Sequence, residues 1–129
     1  MTETLIHVPS ADVRETGTAS TSALTLASPT VGGSRGISLW RVRMSAGSAG
    51  PRHVIDSEQI WTLLSGEVSI RSGNDEFIVA AGDTVIMPGG VIRTVVALED
   101  CEFIVCGSPS ALATIPGGDA APVSPPWVL

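Results

Sequence analysis

The chain has 129 residues, 43% of them hydrophobic, which suits one domain with a buried core and leaves no room for a second. Its net charge of −6 and its scattered arginines, with no lysine at all, exclude the basic stripe that a nucleic-acid partner requires. No apolar run reaches the length of a membrane span, and no basic segment followed by an apolar run opens the chain, so the sequence reads as cytoplasmic without a signal peptide.

In chain order, short β-favouring runs occur at Leu5–Val8, Ala23–Leu26, Gly36–Met44, Ile60–Leu64, Glu67–Arg71, Glu76–Val79, Thr84–Met87, Ile92–Ala97 and Glu102–Cys106. Glycine and proline punctuate them throughout, and no long helical period interrupts them. Ser10–Ser22 reads as loop. Arg71-Ser72-Gly73-Asn74-Asp75 marks a hairpin, and Ala81-Gly82-Asp83 marks a second turn. The segment from Pro116 to Leu129 is too proline-rich for a central strand, and its apolar Trp127-Val128-Leu129 end needs a surface to cover. The pattern predicts an all-β sandwich or barrel with at most one helical turn: one domain over 1–129, with core 36–107, N-terminal strands in 1–35 and a tail over 113–129. Cys101 and Cys106 sit on opposite faces of one strand, which disfavours a bridge between them and suits a reducing compartment.

From Gly47 onward the sequence resembles the cupin superfamily, as a small single-domain bacterial cupin. Gly47, His53, Ile55, Gln59 and Gly66 keep every spacing of the first cupin motif, and Gly82, Pro88, Gly90, Arg93 and Ala97 keep every spacing of the second. The resemblance implies a double-stranded β-helix (a jelly-roll barrel) and, in most of the family, a metal held by three histidines and a glutamate. Here only His53 retains its ligand type. Ile55 and Arg93 replace histidines, and Gln59 replaces the glutamate. An apolar side chain and a guanidinium cannot coordinate a cation, so the reading is no metal and no cofactor.

Strand alternation puts His53, Ile55, Gln59, Trp61, Leu63, Arg93, Val95 and Ala97 on the interior face. That describes a mostly apolar pocket with three convergent polar groups. His53 and Arg93 are the candidate catalytic residues, expected on facing strands. His53 acts as a neutral base, and Arg93 holds an anionic oxygen. Gln59, Trp61, Leu63, Ile55 and Val95 form the candidate substrate surface. Alternatively His53 is a vestige hydrogen-bonded to backbone, Trp61 is core, Arg93 points outward to Asp56 or Glu58, Gln59 bonds to His53, and Cys106 reaches the interior. Arg41 and Arg43 alternate with Trp40, Val42 and Met44 and face outward.

The expected function is binding of a small organic molecule, with metal-independent cyclase, isomerase or dehydratase chemistry of the kind the resemblance allows in natural-product biosynthesis. A non-catalytic ligand sensor, or a metal-dependent dioxygenase or isomerase with an unusual ligand set, are the alternatives. The resemblance also implies a homodimer in which a terminal segment crosses to the partner.

Overall fold

Glycine and proline cut the chain into eleven short strands, described over residues 4–129 of a computed structural model. They are β1 (Arg14–Gly17), β2 (Thr21–Ala27), β3 (Ser38–Met44), β4 (His53–Ile55), β5 (Gln59–Ser65) and β6 (Glu67–Ser72), followed by β7 (Asp75–Ala80), β8 (Thr84–Met87), β9 (Ile92–Ala97), β10 (Cys101–Gly107) and β11 (Ala113–Thr114). They form two antiparallel sheets, the large one ordered β1-β2-β3-β10-β5-β8 and the small one β11-β4-β9-β6-β7. The sheets pack face to face as the expected jelly-roll barrel. Two single 3₁₀ turns, Ser10–Asp12 and Pro126–Val128, are the only helical pieces among the described residues, one more than the sequence suggested.

Period two decides which side chains meet between the sheets. Trp40, Val42 and Met44 of β3 are buried, as are Cys101, Phe103 and Val105 of β10 and Val68 and Ile70 of β6. The alternate positions of β3 and β10 are half-buried or exposed, whereas Ser69 between Val68 and Ile70 is buried as well. Arg41 and Arg43 lie on the outer face and share the Glu102 carboxylate. Cys106 lies on the same outer side of β10, so it does not reach the interior.

The predicted strands from Ala23 onward are all present, with ends within two residues of expectation. The hairpin falls where Gly73 and Asn74 join Ser72 to its partner Asp75. Gly66 closes the turn between β5 and β6 at φ +84°, where an added Cβ would meet the Asp100 carbonyl oxygen at 2.3 Å.

The N-terminus departs from expectation. Leu5–Val8 forms no strand, and Leu5 is fully exposed. A β-favouring run becomes a strand only beside a free edge, and the edge of the large sheet is taken by β1. That strand lies in Ser10–Ser22, which reads as loop because Arg14-Glu15-Thr16-Gly17 is polar, as edge strands are.

The tail's apolar end is covered, as expected. It docks on its own chain, with Val128 fully buried in the core. Thr25 Oγ1 donates to the Trp127 carbonyl at 2.7 Å, and Ser38 Oγ donates to that of Val128. Arg14 Nη2 donates to the Pro126 carbonyl at 2.8 Å, and Ser28 Oγ reaches Leu129 O at 2.6 Å. Val128 of the apolar end is therefore buried within one chain.

Val128→Ala should cost about 2 kcal/mol, from lost burial plus the cavity left behind. Urea unfolding should show a lower midpoint at unchanged slope. An unchanged midpoint would mean that the tail is not docked.

Candidate functional site

The site is assembled by β4 and β9 of the small sheet and β5 of the large one. His53 is directly opposite Arg93 in the β4–β9 pair, and Val54 opposes Ile92. Antiparallel partners share a face, so His53 and Arg93 project together into the barrel. They are neighbours in one sheet, which corrects the expectation that they sit on facing strands. The Pro88-Gly89-Gly90 turn pins β4 in place. Gly90 N–H donates to the Ile55 carbonyl at 2.9 Å. Gly89 lies so close to the following backbone that a Cβ would sit 2.8 Å from Asp56 O, so any side chain there would push this segment away.

The residue facing Arg93 from across the barrel is Gln59. It starts β5 on the inward side and is 2% exposed. Its neighbours in the large sheet are Gly107 and Met87. A Cβ on Gly107 would lie 3.1 Å from Gln59 Cγ and 3.3 Å from the Trp40 ring, so the missing side chain is the room that Gln59 occupies.

Gln59 Oε1 accepts from Arg93 Nη2 at 2.7 Å and from Trp61 Nε1 at 3.1 Å. Both partners only donate, so the atom on which they converge is the amide oxygen. Arg93 therefore turns inward and does not reach Asp56 or Glu58, and Gln59 bonds to Arg93 and Trp61 in place of His53.

Arg93 is 2% exposed, and its Nε and Nη1 are buried with no hydrogen-bond partner. Among the described residues no carboxylate pairs with it. Burial pulls its pKa down to about 10, which still leaves the guanidinium charged at neutral pH.

His53 is half-buried, and its Nδ1 lies 2.6 Å from the Pro51 carbonyl oxygen. A carbonyl only accepts, so Nδ1 carries the hydrogen and Nε2 keeps the lone pair. Burial lowers the pKa below the ordinary 6.5, the bond to Pro51 opposes that, and the Arg93 charge adds to the lowering. The imidazole is neutral at pH 7, with Nε2 able to take a proton.

The apolar residues divide into two groups. Trp61 is partly buried, its ring edge-on to Phe103 with centroids 5.0 Å apart. Ile55, Leu63 and Val95 are buried side chains, none more than 6% exposed. Two surface clefts, of about 310 Å³ around Ser20, Arg43 and Asp100 and about 210 Å³ around Ile37, Ile60 and Cys106, contain none of the site residues. Sequence reasoning did not identify Gly107 or Met87 as the flanks of Gln59. A glycine ending an apolar strand was the only signal for the first.

The positions that the motif assigns to a metal do come together, but they do not fit one. Ile55 has no donor atom. Arg93 brings a positive charge where the motif expects a ligand, and its Nη2 already uses the Gln59 oxygen that a cation would need. Among the described residues no three His, Cys, Asp or Glu side chains cluster as metal ligands.

A family model for the cupin domain matches residues 40–107. No curated protein matches the chain. Salicylate 1,2-dioxygenase from Pseudoaminobacter salicylatoxidans, in an adduct with gentisate, superposes with a TM-score of 0.70 at 15% identity, over 81% of this chain and 31% of the dioxygenase. The chain thus spans about a third of that protein. KdgF from Halomonas sp. gives 0.65 at 20% identity, over 76% of this chain and 87% of that one. A conserved protein of unknown function from Streptococcus pyogenes gives 0.58 at 20% identity, over 76% of each chain. At these identities the likeness is one of fold.

The geometry predicts that His53 titrates below 6.5 in an NMR pH series. Arg93→Met should raise that midpoint without restoring it fully, because burial remains. A midpoint at or above 6.5 in the wild type would contradict the assigned environment.

Proposed function

The chain belongs to the cupin domain family, and we propose that it binds a small organic molecule between β4, β5 and β9 and performs metal-independent acid–base chemistry on it. The observation that carries the reading is Arg93, a buried guanidinium with two unpartnered nitrogens and no counter-ion among the described residues. Leaving a buried charge and its donors unpaired is expensive, and such arrangements concentrate at functional sites. A developing oxyanion supplies what Arg93 lacks. His53 lies beside it on the same face, neutral, with Nε2 available.

The chemistry follows from that pairing. Nε2 of His53 takes a proton from a carbon next to a carbonyl, and the electron pair moves onto the carbonyl oxygen. The oxygen becomes an enolate held by Arg93. Return of the proton to a different carbon gives an isomer, and departure of a β-hydroxyl with that proton gives water and an alkene. Attack of the enolate carbon on a second carbonyl closes a ring. The solved dioxygenase of the same fold holds gentisate, an aromatic acid, which supports a small acid of comparable size as ligand.

The test is a thermal-shift screen of small oxo acids, followed by NMR of α-proton exchange in D2O for those that bind. Arg93→Ala should weaken binding more than His53→Ala does. His53→Ala should slow exchange by about 100-fold or more while binding persists. If His53→Ala leaves exchange unchanged, the acid–base role is wrong and the site only binds. If Arg93→Ala leaves binding unchanged, the site itself is wrong.

A further inference from the structure

Gln59 is bound to Arg93 by a hydrogen bond of 2.7 Å, yet it contributes no charge. We infer that Gln59 is the residue that selects the ligand's charge: it positions Arg93 without neutralising it, so the site takes a flat monoanion through carboxylate or enolate oxygens. The inference rests on the reading of Arg93 as the ligand-binding group and goes beyond it by assigning the selectivity to a second residue.

Three side-chain types were open to this position, and they differ in what they leave for a ligand. A carboxylate would place a negative charge where Oε1 now accepts from Arg93 Nη2. The pair would be self-sufficient, and an incoming anion would meet no net positive charge. An apolar side chain would leave both Arg93 Nη2 and Trp61 Nε1 without their shared acceptor. The amide satisfies both donors and leaves the positive charge intact.

What remains unsatisfied describes the ligand. Arg93 Nε and Nη1 are unpartnered donors, which calls for acceptor oxygens. His53 is neutral, so the site carries one positive charge and suits one negative one. The Trp61 indole is fixed at one end by Gln59 and at the other by Phe103, which gives the anion's apolar body a planar neighbour. Gln59 occupies the room that the missing side chain of Gly107 leaves.

The test compares benzoate with its neutral isostere benzamide by calorimetry, because a packing defect would weaken both alike. The wild type should prefer benzoate, and Gln59→Glu should cut that preference by about tenfold or more while remaining folded. Gln59→Met, neutral again, should keep the preference. If Gln59→Glu retains the wild-type preference while Arg93→Met loses it, Arg93 is the anion site but Gln59 does not set its selectivity, and this inference is overturned alone. If Arg93→Met also keeps the preference, or the wild type shows none, the reading of Arg93 fails and this inference fails with it.

Discussion

A guanidinium at 2% exposure makes a single hydrogen bond among the described residues, from Arg93 Nη2 to the Gln59 amide oxygen. Desolvating a charge costs several kcal/mol even after relaxation, and an amide returns only a fraction of that. Lysine in this place would shed its proton, but arginine keeps its charge even with its pKa pulled down to about 10. The barrel is arranged around this tension. Gly89 lets the turn before β9 lie against the end of β4, Gly107 leaves space for Gln59, and Trp61 donates to the same oxygen. None of these contacts neutralises the charge.

The cupin framework brings two motifs to one centre, and the same framework can hold either a cation or a cationic side chain there. In this chain the exchange is complete. Arg93 carries the positive charge, Ile55 offers no donor, and Gln59 has lost the negative charge that would otherwise quench the guanidinium. A resident metal contributes open coordination positions, whereas a guanidinium contributes N–H donors in fixed directions. The chemistry proposed for the site is recognition of oxygen anions and, through His53 Nε2, movement of a proton. A site of this kind is held at the expense of stability, as functional sites often are.

Much of this was legible in the sequence. Period-two alternation placed His53, Ile55, Gln59, Trp61, Leu63, Arg93 and Val95 on one interior surface, and the burial of these strands agrees. Motif spacing set the fold because glycine and proline positions fix where strands end. The partner of Arg93 was not legible, since alternation gives a face but not how far a long side chain reaches across to the opposite sheet. Nor was the packing of Ile55 and Leu63, since an inward position can be floor or wall. Leu5–Val8 and β1 were exchanged because propensity does not say which segment finds the free edge. The tail's apolar end was read correctly as needing cover, but the cover is β2, β3 and the core of its own chain.

The most direct measurement of the central claim is the equilibrium stability of Arg93→Met against the wild type, by urea unfolding at neutral pH without ligand. If Arg93 is a buried charge kept for a ligand, its removal relieves the desolvation cost, and the variant should be more stable by about 1 kcal/mol or more. A loss of stability of several kcal/mol would contradict the account, because it would make Arg93 a structural support of the barrel.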